Sequence, residues 1–396
     1  MGQGGSAALN GFFRARIAIL ALTVLLALGA AAGCLRAHPP NGQMIGPLIA
    51  AAILAVLSLV QLRHAALVAL ALAAPLPGLL GAMLLLPTDG DTLSLWLAYL
   101  PAFFLAGFFV AETATRAAEG EASETAARNT MTRLAPAALC ALAAACAPAL
   151  FLAPGAMFAA MLAGACALIV VPLGASLLSF GEDFAARANR LRERRERSLA
   201  HLAQATQPRW GWSLSGIAIV LAALGFFGAA PLANRVSLTW LAAIFVSIAA
   251  VFLATRDWRR SLAALLAFVP ALFLALWVFA RVPPDAAAWR HLLQALGIGF
   301  IPVVLISARA ARYARDGEDV AVASMRALER DGAALLFAAA ACALSLVPFH
   351  RLQEIPAALG IFLAAPSALV FAPAFGAALE NLFPRRAVIA ARYRVG

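Results

Sequence analysis

Apolar stretches of roughly 17 to 25 residues recur about twelve times along this chain, each long enough to cross about 30 Å of hydrocarbon as a helix. Their spans are 17–33, 44–61, 65–86, 93–111, 134–152, 156–180, 211–231, 237–254, 261–280, 289–308, 332–348 and 355–379. A water-soluble globule of 396 residues has no interior large enough to hide them: 64% of the residues are hydrophobic and only 12% are charged. The mean hydropathy of +0.89 says the same. The runs are rich in Ala and Leu, are separated by short gaps and lack the ten-residue alternation of barrel strands, so helices satisfy the backbone in lipid. The sequence predicts an all-α, polytopic membrane protein of about twelve transmembrane helices.

The net charge of +11 reports orientation. All 30 basic residues are arginine, because the chain has no lysine. With the amino terminus in the cytoplasm, 25 arginines fall in inside gaps and five outside, namely Arg36, Arg235, Arg281, Arg290 and Arg351. The positive-inside rule then places both termini in the cytoplasm of a bacterial inner-membrane protein. No soluble basic domain exists to carry nucleic acid, so no such partner is expected. Cys140, Cys146, Cys166 and Cys342 lie in apolar runs without metal-ligand spacing and read as small core residues. Cys34 closes an "AAGC" that resembles a lipoprotein cleavage box only faintly; the first run is kept as a span.

Shifted by about 197 residues, the chain falls on itself. "AALCALAAACAPAL" at 137–150 meets "AALLFAAAACALSL" at 333–346, matching Cys146 with Cys342. Arg63 comes near Arg260, Gly120 meets Gly317, and "PLGASL" from Pro172 comes near "PAFGAAL" from Pro373. The expected plan is two parallel six-helix repeats, residues 1–180 and 211–396, joined at 181–210 by an arginine-rich cytoplasmic linker helix that lies along anionic headgroups or docks a partner. Amphipathic stretches at about 113–130 and 310–328 are expected as short helices on the cytoplasmic surface.

The run "GIGFIPVVLISARAARYARDGED" (297–319), continued through "VAVASMRALERDGAALLFAAAACALSLVPF" and "ALGIFLAAPSALVFAPAFGAAL", resembles the fourth to sixth helices of a half in the resistance-nodulation-division (RND) superfamily, most of all its MMPL branch. The order of parts carries the resemblance: a Gly-x-Gly helix with Arg309 at its cytoplasmic end, an amphipathic stretch after "DGED", a helix opening near Gly332, and a last helix with Pro373 in mid-span. "FFLAGFFVAETATRAAEGEASETAARN" is a weaker first-half copy. The resemblance implies a permease for a hydrophobic or lipidic molecule.

Two departures stand out. Members of the superfamily place large extracytoplasmic porter domains after the first and seventh helices, where this chain has only "CLRAHPPNGQ" and "PLANR". The aspartate that the family uses as a proton relay is also missing. Aligned on Gly297 and Gly299, its place holds Ile301 and Pro302, and in the first half Phe104 and Leu105. A carboxylate in hydrocarbon is costly and is retained for a function. Asp89, Asp91, Asp285 and Glu354 fall outside, and the other acidic residues at or beyond the cytoplasmic boundary. Phe104, Glu112, Gly297, Gly299, Ile301, Pro302 and Arg309 are the substrate or gating candidates, with Glu112 and Arg309 as interfacial anchors or as a gate between the halves. Pro302 is also a hinge candidate.

The five histidines, His38, His64, His201, His291 and His350, fall in loops or at helix ends and read as interfacial. No nucleophile or metal site supports an enzyme, and no cofactor is expected. Without lysine there is no phosphate-binding GxxxxGK loop, so ATP-driven transport by this chain alone is excluded. The expectation is a permease that does not use the family's proton route: it works passively, or a separate energising or periplasmic partner drives it. The alternatives are a non-transporting scaffold or lipid-binding subunit, and a major-facilitator carrier, for which "TRDWRRSL" (255–262) speaks.

Overall fold

The computed structural model describes residues 11–37, 45–62, 64–85, 92–152, 154–178, 193, 208–229, 238–282, 286–349 and 354–383. They form thirteen α-helices: α1 (Arg16–Ala37), α2 (Ile45–Leu62), α3 (Ala65–Ala73), α4 (Leu76–Leu85), α5 (Thr92–Ala118), α6 (Ser123–Leu152), α7 (Pro154–Ala175), α8 (Pro208–Ala229), α9 (Leu238–Thr255), α10 (Trp258–Phe279), α11 (Ala286–Arg315), α12 (Val320–Leu344) and α13 (Ile355–Leu382). A single 3₁₀ turn, Val347–Phe349, follows α12. Ten stretches among the described residues are long and apolar enough to cross a membrane. Two shorter apolar helices, Ile45–Val60 and Ile244–Thr255, stand where the second and eighth spans were expected. Leu25, Phe227, Phe245 and Leu253 are more than half exposed, as side chains that face lipid must be. The protein is an all-α, polytopic membrane protein. Most of the linker 181–210 lies outside the described residues, as do Asp89, Asp91, Asp285, His38, His201, His350 and Arg351.

The chain divides into two units. Unit 1 holds residues 1–138, 149–192 and 344–350; unit 2 holds 139–148, 193–343 and 351–396. In unit 1, α1 packs on α4 and α7, α2 on α5, and α5 on α7. In unit 2, α8 packs on α10 and α13, α9 on α11, and α11 on α13.

Proline shapes the third span of each unit. Pro75 lacks an N–H, and the expected span 65–86 is broken there into α3 and α4. The Tyr99 hydroxyl donates to the carbonyl of Leu72 at 2.6 Å, satisfying a backbone group beside the break. In α10 the helix runs on through Pro270, and the Ser367 hydroxyl donates to the carbonyl of Ala267 at 2.5 Å. Both carbonyls stand three residues before their proline.

The amphipathic stretches do not form separate surface helices. Residues 113–130 and 310–328 are the end of one long helix, a tight turn and the start of the next. Gly120 (φ +94°) and Gly317 (φ +99°) make these turns, in a backbone region that costs other L-residues energy. Glu121 N–H reaches Arg116 O at 3.2 Å and Gly120 N–H reaches Ala117 O at 3.1 Å. Glu318 N–H reaches Tyr313 O at 3.2 Å and Gly317 N–H reaches Ala314 O at 3.4 Å. This is the same glycine C-cap at both places. The polar residues read as surface helices therefore continue into the membrane-spanning helices and carry charge inward with them.

Candidate functional site

Among the candidate spans of the described residues, helix α11 is the most enclosed: its whole apolar stretch is buried. Gly297 and Gly299 make this enclosure possible. A Cβ at Gly297 would stand 2.3 Å from the carbonyl oxygen of Ala145, and one at Gly299 would stand 2.8 Å from that of Gly360 and 3.0 Å from Ala364 Cβ. Backbone cannot yield as a flexible side chain can, so both positions need glycine for close helix approach. Ile301 and Pro302 are buried beyond them, and Phe104 is fully buried in α5. These candidates pack; none brings a polar group.

Arg309 does. Its Nε donates to Asp331 Oδ2 at 2.8 Å and its Nη2 to Asp331 Oδ1 at 3.1 Å, a two-pronged pair with both side chains 3% exposed. Asp331 is in α12, part of the long apolar stretch Val320–Phe349. Asp331, expected at or beyond the cytoplasmic boundary, is thus a buried ion-pair partner that the sequence reading missed. The reason is helix continuity. "RALERDG" looks like the end of a surface helix, but α12 runs unbroken from Val320, which puts Asp331 eleven residues, about 16 Å, along its axis. Breaking such a buried pair by removing one partner costs about 3–5 kcal/mol. Close by, a cleft of about 20 Å³ is lined by Arg260, Ile306, Ser307, Ser324, Pro373 and Gly376. It has room for about one water beside two hydroxyls and a buried guanidinium.

In unit 1, Glu112 is buried in α5 and pairs with Arg116 Nη2 at 3.0 Å, one helical turn on. Arg116 Nη1 also reaches Glu121 at 3.2 Å, and Asn129 Nδ2 donates to the other Glu121 oxygen at 2.9 Å. Glu112 stands eight residues before Gly120, and Arg309 eight before Gly317. Each is paired within its own unit. Neither residue is an exposed anchor: Glu112 is 4% and Arg309 5% exposed.

At the opposite end of α11, His291 Nδ1 lies 2.9 Å from Glu354 Oε1, with side chains 1% and 5% exposed. Both stand near helix ends, His291 in the second turn of α11 and Glu354 at the N-cap of α13, and both are buried in the protein.

No family model matches the chain, and no curated protein matches it in sequence. Its fold is similar to that of solved membrane proteins. One is SecDF, a translocon-associated membrane protein from Thermus thermophilus: TM-score 0.54, 14% identity, 85% of this chain and 62% of that chain covered. Another is SecDF in a super-membrane-facing form: TM-score 0.51, 12% identity, 93% of this chain and 63% of that chain covered. At these identities the likeness is one of fold: the chain folds like the membrane part of SecDF. The match does not single out the MMPL branch. This chain spans under two thirds of the length of these neighbours.

Proposed function

We propose that this protein is an RND-like permease of the bacterial inner membrane that moves a hydrophobic or lipidic molecule, with Arg309 and Asp331 as the charged pair that switches during the cycle. The observation behind this reading is the pair itself: a two-pronged ion pair, 3% exposed, that ties α12 to the most enclosed candidate span among the described residues. An ionisable couple in a span is costly to keep and is characteristic of ion and substrate pathways. The buried Asp331 is a titratable group beside an enclosed helix, and this supports proton-coupled work over the passive route expected from the sequence. When Asp331 takes a proton it loses its charge and one arm of the fork, leaving Arg309 to find another partner. The RND-like fold favours this reading over a major-facilitator carrier.

The test is reconstitution in liposomes with a fluorescent phospholipid as probe and an imposed pH gradient. The reading predicts probe movement that depends on the gradient and is lost in Asp331→Asn. Vesicles with protein that behave like empty ones contradict it. A second reading, a non-transporting subunit that holds lipid or a partner, is favoured by the short connections 38–44 and 230–237, which leave no room for a large domain at those places. In the same assay it predicts no flux under any gradient.

A further inference from the structure

We propose that His291, Glu354 and Gln294 form a proton-binding site at the amino-terminal end of α11, separate from the Arg309–Asp331 pair. The argument starts from unsatisfied atoms. Glu354 accepts from or donates to His291 Nδ1 through Oε1 at 2.9 Å, while its second oxygen, Oε2, is buried and finds no donor among the described residues. One helical turn beyond His291, on the same face of α11, Gln294 is 6% exposed, and its Oε1 also has no donor. Leaving a buried acceptor unmade costs about 1–3 kcal/mol, more for a charged group. A proton is the smallest ligand that answers this chemistry. On the imidazole it turns the contact into a charge-assisted bond, and on Glu354 Oε2 it turns an orphan acceptor into a donor. The count of charge points the same way: without the proton the couple carries one buried negative charge, and with it the net charge is zero.

The described residues of the helices packed on α11 bring few charges toward this end. α11 packs against α9, α10 and α13 in unit 2. α9 has no charged residue. The end of α10 meets the start of α11 through Phe279 and Trp289, 5.3 Å apart, and there Arg281 is exposed and held over the Trp277 ring. Arg290 on α11 is exposed as well. Arg259 and Arg260 at the start of α10, and Glu380 late in α13, belong to the far ends of those helices. In residues 139–148 the titratable groups are the thiols of Cys140 and Cys146. Imidazole is the side chain whose charge change falls nearest neutral pH, which makes His291 the group to follow. The proton ties the start of α11 to the start of α13, the helix that touches Gly299 at Gly360.

The experiment uses the full chain in detergent with His291 as its single histidine, the other four replaced by Gln, and ¹⁵N in the ring. Nitrogen shifts followed from pH 5 to 8 should show His291 gaining one proton. Glu354→Gln in that background should weaken proton binding at least tenfold, one pH unit in the midpoint. Should that variant fail to fold, Glu354→Asp, which keeps the charge on a shorter arm, should also move the midpoint. A ring that stays in one neutral tautomer across the range, or a midpoint unmoved by changing Glu354, overturns the proposal. The readout does not involve transport, so it stands or falls apart from the permease reading.

Discussion

The guanidinium of Arg309 meets the carboxylate of Asp331 through two hydrogen bonds, 2.8 and 3.1 Å long, in a place where each side chain is 3% exposed. Such a pair is expensive to desolvate and is often no more stable than well-packed apolar residues. Its retention therefore separates stability from function. Asp331→Ala should lower stability by about 3–5 kcal/mol, since a buried guanidinium is left without its partner. Arg309→Met with Asp331→Leu should recover most of that loss. Thermal unfolding in detergent measures both, and equal destabilisation by the single and double changes would show that the pair is not an energetic unit.

Gly297 and Gly299 predict a steric series. Gly297→Ala sets a Cβ 2.3 Å from a backbone oxygen and should destabilise by about 1–3 kcal/mol, as overpacking does. Gly107, in α5, has nothing within 4 Å of a built Cβ, so Gly107→Ala should be neutral or stabilise by up to about 1 kcal/mol. Unfolding midpoints of the two proteins should move in opposite directions or differ clearly in size.

The glycine turns give a matched pair. Gly120→Ala and Gly317→Ala place a Cβ in open space but at φ +94° and +99°, so the cost is conformational, about 1–2 kcal/mol each. Similar losses at both sites are the expected outcome. A null effect at either would mean that the turn relaxes.

Much of this was legible in the residues. Apolar length alone located the spans, because hydrocarbon thickness fixes helix length. Gly297 and Gly299, expected at a substrate or gating site, allow close helix approach, and Gly120 and Gly317, matched by the internal shift, make the turns between helices. The charged core was not legible. Asp331 and Arg116 sit in stretches whose periodicity is that of a surface helix, and only the unbroken course of α12 and α5 shows that those charges ride inward. His291 and Glu354 are 63 residues apart, and nothing local in either stretch signals the other. Pairing across helices is a tertiary fact, and a count of charged residues per span cannot reveal it.

Orientation rests on the arginine distribution and is tested by reporter fusions. Fusions after Arg36 and Arg281 should read outside, and fusions after Arg194 and Arg386 inside. A cytoplasmic signal at Arg281 would overturn the arrangement.

The most direct test of the permease reading compares two folded proteins in liposomes: the wild type and the Arg309→Met, Asp331→Leu double variant. Each is given a fluorescent phospholipid and a pH gradient. The account predicts gradient-dependent movement of the probe by the wild type and none by the double variant. A wild type no faster than empty vesicles, or a double variant as fast as the wild type, would contradict it.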